Sequence, residues 1–237
     1  MRALILCAGE GRRLRPLTQI APKPLARVAG EPMVVRQILS LRRAGVTEIV
    51  INAAHGARIL MAELGDGARW GVRIAWSVEG LETRDALETR GGVVRALPLL
   101  GSEPFLAVAG DIVTDMDYCA LAERARSLSP KGALAHLALV ANPSFHATGD
   151  FGLENGLVRR PGLGGAWTYS SLAAFHPALF AGVPEGRAKL FPWMLGAIDA
   201  GRVTGEVFRG LWANVGTLAE MRRAEAMLAS CEGRAAR

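Results

Sequence analysis

The sequence predicts an α/β protein, a mostly parallel sheet flanked by helices with a smaller β-rich region. Three observations carry this. Short apolar runs alternate with helical periodicity from the first residues to about Ser127. Beyond Ala133 the alternation yields to short strand-like pieces with many glycines. No linker rich in proline, glycine and serine divides the chain, so residues 1–230 read as one domain. Its parts run to about residue 130 and from about 131 to 230, and residues 231–237 read as a frayed tail.

Each element has its own reason. Ala3–Cys7 is short and continuously apolar, as a buried strand is. A loop is expected from Ala8 to Glu31. Pro32 suits the first turn of a helix, and Val34, Ile38 and Leu41 then fall on one face of Met33–Ala44. Gly45 ends that helix. Glu48–Asn52 is a strand rich in β-branched residues, and Ala57–Leu64 a helix stopped by Gly65-Asp66-Gly67. Val72–Trp76 is a third strand, a helix starts near Gly91, and Pro104–Asp111 is a fourth strand ending in a carboxylate. Ala133–Val140 is a fifth strand. Strand-like pieces follow over Gly149–Tyr169, then a helix over Leu190–Ala200, a strand over Arg202–Phe208 and a final helix over Thr217–Leu228.

The bulk chemistry narrows the function. The 237 residues hold 28 Lys and Arg against 22 Asp and Glu, a net charge of +6 that favours an anionic partner. The arginines are dispersed, without a basic block or interleaved aromatics, so a phosphorylated metabolite is expected rather than nucleic acid. No apolar run approaches ~20 residues, so no membrane partner is expected. Cys7, Cys119 and Cys231 form no metal-ligand or disulfide pattern, and a reducing cytoplasm is the expected location. His55, His136, His146 and His176 show no ligand-like spacing.

The chemistry concentrates at the start. Gly9-x-Gly11 follows the first strand, where α/β sheets bind ligands, and glycines let backbone N–H groups approach phosphate oxygens. Such a pair is also a common turn. Leu14 stands where a dinucleotide fingerprint needs glycine, and no Gly-Lys-Ser/Thr completes a P-loop. Arg12, Arg13 and Arg15 add fixed charge suited to phosphates. Lys23 is held between Pro22 and Pro24.

The stretch LCAGEGRRLRPLTQIAPKPLARVAGEPM resembles the signature LAAGxGxRxxPLTxxxPKPLxxVxGxP of the sugar-1-phosphate nucleotidyltransferases. The similarity continues through GVTEIVIN, LETRGG, PFLAVAGD, LVANP, GDF, FHPALF and WANVGT. Within that family it resembles the uridylyltransferase branch acting on N-acetylmuramate 1-phosphate.

The resemblance implies a Rossmann-like fold of the nucleotide-diphospho-sugar transferase type, its second part binding sugar. It implies transfer of a nucleotidyl group from a nucleoside triphosphate, UTP first, to a sugar 1-phosphate. It assigns Gly9, Gly11, Arg12 and Arg13 to the nucleotide phosphates, and Lys23 to the α-phosphate and sugar phosphate. Arg13, Lys23 and Asp111 become the catalytic set. Asp111 and Asn214 become the ligands of Mg2+. Ala8, Asn52, Glu88 and Thr89 fall to the rest of the nucleotide, and Asn142, Gly149, Asp150 and Glu154 to the sugar.

Mannose or heptose guanylyltransferases, thymidylyl and cytidylyl enzymes, and a regulatory module that binds nucleotide without turnover share these motifs. Oligomeric state is left open between monomer and dimer. The chain departs from the pattern at Asn214 (WANVGT for WxDVGT), Arg90 (LETRGG for LETGGG) and Ser171 (TYSSL for TFSGI). Arg90 is expected to bear on nucleotide choice and Ser171 on the sugar. The stretch GLETRDALETRGG reads as an inserted loop.

Overall fold

The computed structural model describes residues 1–81, 83–162 and 165–235. In chain order the first part holds β1 (Arg2–Leu6), α1 (Leu17–Ile20), β2 (Arg27–Val28), β3 (Glu31–Pro32), α2 (Met33–Arg43), β4 (Glu48–Ala53) and α3 (Ala57–Leu64). Next come β5 (Arg73–Val78), α4 (Glu88–Leu100), β6 (Phe105–Ala109), β7 (Ile112–Thr114) and α5 (Tyr118–Arg126). The second part adds β8 (Ala135–Val140), β9 (Gly152–Glu154), β10 (Leu157–Arg159), β11 (Thr168–Phe175), α6 (Leu195–Asp199), β12 (Val203–Val207), β13 (Trp212–Asn214) and α7 (Leu218–Ala235).

One nine-stranded sheet organises these elements, in the order β5-β4-β1-β6-β11-β8-β12-β10-β9. All its strands run one way except β11 and β10. The reversal into β10 follows a two-residue turn after β9, whereas β11 enters the sheet between β6 and β8, both distant from it in sequence. The alternation of β1 shows how both faces are covered. Ala3, Ile5 and Cys7 join the cluster under α2 and α5, whereas Leu4 joins the one under α4 with Phe105, Phe175 and Phe180. A smaller cluster of Val28, Met33, Val113, Leu211, Val215 and Ala224 seats α7 against β2 and β7.

Several expectations are corrected. The segment from Ala8 to Glu31 is not a plain loop. It holds two 3-10 turns, α1 and a two-stranded hairpin whose turn residues Ala29 and Gly30 both have positive φ, 48° and 79°. The helix expected over Leu190–Ala200 is helical only at Leu195–Asp199, since a proline at 192 disfavours a helical conformation at the residue before it. Tyr169–Phe175, not anticipated as a strand beyond Tyr169, lies at the centre of the sheet between β6 and β8. The last helix passes Leu228 and runs through the expected tail as far as Ala235. Glu82 of the GLETRDALETRGG stretch, residues 163–164 and residues 236–237 lie outside the described residues.

Candidate active site

A cavity of about 560 Å³ opens at the C-terminal ends of β1, β4 and β6. This is where open α/β sheets place ligands. From the first part of the chain Ala8, Gly9, Glu10, Arg12, Asn52, Glu88, Thr89 and Asp111 line it. From the second part come Tyr169, Ser171, Arg187 and Asn214.

The glycine turn is shaped by what passes beneath it. Gly11 has φ 68°, and a Cβ there would lie 2.8 Å from the Cβ of Lys23. Position 11 therefore needs glycine on two counts. The Thr18 hydroxyl donates to the Gly11 carbonyl (3.1 Å) and closes the turn. Lys23 lies beneath, its side chain only 11% exposed, and its ammonium donates to Asp111 Oδ2. Asp111 sits in the two-residue turn between β6 and β7. β7 leaves the main sheet to pair with β13, which sets Asn214 opposite Ile112, and Val215 N–H donates to the Asp111 carbonyl (3.1 Å). That pairing brings Asp111 and Asn214, 103 positions apart in the numbering, to one wall.

A buried polar chain supports the opposite wall. Cys7 N–H donates to Asn52 Oδ1 (2.7 Å), Asn52 Nδ2 to Glu79 Oε1 (2.6 Å), and Leu87 N–H to Glu79 Oε2 (2.7 Å). The Asn52 amide is thus engaged at both ends and ties the glycine turn to the segment carrying Glu88 and Thr89. Burial pushes the Glu79 carboxyl up, the two hydrogen bonds only partly opposing it. Glu79 has no signal in the sequence, where it is a lone glutamate after a strand.

The chain matches the nucleotidyl transferase family over residues 2–152. It belongs to that family. It is 44% identical to an N-acetylmuramate alpha-1-phosphate uridylyltransferase of Neisseria meningitidis serogroup B, covering 96% of this chain and 98% of that protein. It is 35% identical to a protein of the same name from Caulobacter vibrioides, covering 96% of each. Among solved structures it superposes with TM-score 0.83 on one from Bacillus anthracis described as a glucose-1-phosphate thymidylyltransferase. That pair is 18% identical, with 96% and 95% of the two chains covered. HddC from Yersinia pseudotuberculosis gives 0.76 at 17% identity, with 96% and 99% covered. These two establish shared architecture.

For a nucleotidyl transferase the charge pattern of the cavity is informative. Each cation in or beneath it is held by a carboxylate: Lys23 by Asp111, Arg12 by Glu10, Arg187 by Glu88 (3.2 Å). Arg12 holds the Glu10 carboxyl below its ordinary range. Glu88 has φ 61°, and two backbone bonds dock the Arg187 segment beside it: Ala188 N–H to Leu87 O (2.8 Å) and Gly91 N–H to Ala188 O (3.1 Å). Arg187, from a loop, gave no sequence signal.

Arg13 does not line the cavity. A Cβ on Gly216 would meet its guanidinium at 2.9 Å, so Arg13 packs where the WANVGT segment enters α7. Arg90 also points elsewhere than its sequence position suggested, its guanidinium lying 5.4 Å over the Trp193 ring.

Three of the residues expected at the sugar, Asn142, Gly149 and Asp150, gather at the start of β11, and the fourth, Glu154, lies apart on the edge strand β9. Asn142 accepts from the Thr168 hydroxyl (2.9 Å) and donates to Ala147 O (3.0 Å). A Cβ on Gly149 would lie 2.7 Å from Asn142 Oδ1. Asp150 accepts from Tyr169 N–H (2.8 Å) and sits 2.9 Å from His146 Nε2. Glu154 is exposed and paired with Arg159 (3.2 Å). None of the four lines the 560 Å³ cavity. Asn142 lines a neighbouring one of about 450 Å³, which meets the first at Asn214.

Among the described residues no three histidine, cysteine or acidic side chains cluster as a metal site. Asp111 and Asn214 offer two hard oxygen donors on one wall. That fits magnesium, which takes one or two protein oxygens and completes its shell from phosphates and water.

Proposed function

We propose that this chain transfers a uridylyl group from UTP to N-acetylmuramate 1-phosphate and releases pyrophosphate, supplying a nucleotide sugar for cell-wall recycling. Its membership of the nucleotidyl transferase family and its near full-length similarity to two uridylyltransferases of that name support the reading. The observation that carries it in the structure is the Lys23–Asp111 pair beneath a glycine turn, facing Asn214 in one cavity.

In this reading the glycine turn at Gly9–Gly11 receives the triphosphate and the segment Ala86–Thr89 borders the base. The acceptor lies toward Tyr169, Ser171 and Asn214. A phosphate oxygen of the sugar 1-phosphate attacks the α-phosphorus in line. The bond from α-phosphorus to the bridging oxygen breaks, and pyrophosphate leaves with the electron pair. Asp111 and Asn214 would hold magnesium, which when bound supplies countercharge to the phosphate oxygens. Lys23 turns from Asp111 to the α-phosphate and stabilises charge that grows in the transition state. Arg12 exchanges Glu10 for the outer phosphates. The protein thus contributes position and charge, with no covalent intermediate.

Three cysteines without disulfides, and no described helix long and apolar enough to cross a membrane, suit the cytoplasmic setting that UTP requires. Pyrophosphate release measured against UTP, GTP, dTTP and CTP, each with a panel of sugar 1-phosphates, tests the proposal. Release highest with UTP and N-acetylmuramate 1-phosphate is expected. Release highest with GTP and mannose 1-phosphate would replace it.

A further inference from the structure

β11 contains a residue in a backbone conformation its side chain does not favour. Ser171 has φ 63°, in the left-handed region where any side chain but glycine is strained. The conformation belongs to an irregularity in the strand. Tyr169 faces Leu139 and Ala173 faces Leu137, so four steps along β11 match two along β8.

The neighbours of Ser171 hold this irregularity. Asp150 accepts from Tyr169 N–H (2.8 Å). The Ser170 hydroxyl donates to Ala138 O (2.7 Å) and accepts from Leu172 N–H (3.2 Å). Trp212 Nε1 donates to Ser170 O (2.9 Å). The Ser171 hydroxyl, by contrast, has no hydrogen-bond partner among the described residues, while the residue lines the cavity beside Tyr169, Asp111 and Asn214. Glycine would take the same φ without strain and is what the family pattern TFSGI has at this place. The serine therefore adds strain and a hydroxyl without a hydrogen bond among the described residues.

We infer that the Ser171 hydroxyl is a specificity-determining contact to the acceptor sugar 1-phosphate. The inference rests on the uridylyl-transfer reading and deepens it. In that reading the acceptor lies against the side of the cavity lined by Tyr169 and Ser171 of β11 and Asn214 of β13, where the Ser171 hydroxyl would meet it. A hydroxyl both donates and accepts, and so matches an oxygen substituent of the sugar. Strain at a site wall, held by well-bonded neighbours, is the arrangement in which a costly conformation is kept for binding.

Steady-state pyrophosphate release, with acceptor and UTP varied separately, tests this in wild type, Ser171→Ala and Ser171→Gly. Both variants are expected to lose about tenfold in kcat/KM for the acceptor, the worth of one hydrogen bond, with the KM for UTP unchanged. Ser171→Gly is expected to melt above wild type, because it relieves the strained φ while losing the hydroxyl. A role confined to the fold would move both KM values or lower the melting temperature. Acceptor kcat/KM within twofold of wild type in both variants would overturn the inference and leave the uridylyl-transfer reading intact. A wild-type chain that turns over no sugar 1-phosphate in the panel would overturn both.

Discussion

Lys23 and Asp111, 88 positions apart, meet as an ion pair beneath the glycine turn, the lysine buried and the carboxylate partly open to the cavity. The pair holds a cation and an anion ready for different partners, the lysine for a phosphate and the carboxylate for a metal. Removing either leaves the other partly buried without its countercharge, which costs stability as well as function. Lys23→Ala and Asp111→Ala should each lower kcat by about two to three powers of ten, as loss of a preorganised charge does. Turnover near wild type in both would remove the proposed mechanism.

Asn214 offers the cavity an oxygen without charge, where the family pattern WxDVGT has aspartate. Asn214→Asp should lower the magnesium concentration giving half-maximal activity by about tenfold, since a carboxylate binds a hard cation better than an amide. Activity titrated against magnesium at saturating substrates checks this. An unchanged midpoint would mean that position 214 does not meet the metal.

The parts of the site legible in the sequence are those with spacing of their own. The Gly9-x-Gly11 turn, the proline-flanked Lys23 and the strand-end Asp111 could be placed because each is a local pattern. Glu79 and Arg187 could not, since each acts through a partner distant in sequence: Asn52 for the first, Glu88 for the second. The sheet shows the same division. Period-two burial in β1 and helical periodicity in α2 are local, whereas the central place of β11 depends on its pairing with β6 and β8, which no single segment encodes. The direction of Arg90 is likewise not local: Glu88 and Thr89 line the cavity while the Arg90 side chain turns to Trp193.

The direction of Arg90 yields a test. Arg90 adds a cation–π contact at 5.4 Å and stays out of the cavity lining. Arg90→Gly should lower the melting temperature, since it removes that contact and puts a glycine into α4 at a cost of about 1 kcal/mol. The ranking of nucleoside triphosphates should not change. A changed ranking would show that Arg90 reaches the base.

Gly92 is packed against the polar chain that supports the nucleotide wall. A Cβ there would lie 2.5 Å from Glu79 Oε1 and 2.7 Å from Asn52 Nδ2. Neither atom can yield without giving up a buried hydrogen bond. Gly92→Ala should therefore destabilise the fold by about 1–3 kcal/mol despite its better helix propensity, and should raise the KM for nucleotide. Urea denaturation with nucleotide titration measures both. A stabilised variant with unchanged KM would mean that the Asn52–Glu79 bond can shift freely.

His136 links stability to pH away from the cavity. The residue is 5% exposed on β8, with Nδ1 2.9 Å from the Thr204 hydroxyl and Nε2 3.7 Å from Glu206 Oε1. Arg124 on α5 also pairs with Glu206 (2.9 Å). Burial holds the imidazole below its ordinary pKa, and Glu206 only partly opposes it. The unfolded chain therefore takes up this proton before the folded one does. The stabilisation is complete above about pH 6.5 and is lost as pH falls through the folded-state value. The carboxylates held low by arginines, Glu10, Glu48 and Asp199, lose their contribution only at more acidic pH. Wild type should thus melt progressively lower from pH 7.5 to 5.5. His136→Gln, which has no such proton to take up, should show a shallower fall across the same window. Parallel curves for the two proteins would assign the acid sensitivity to other groups.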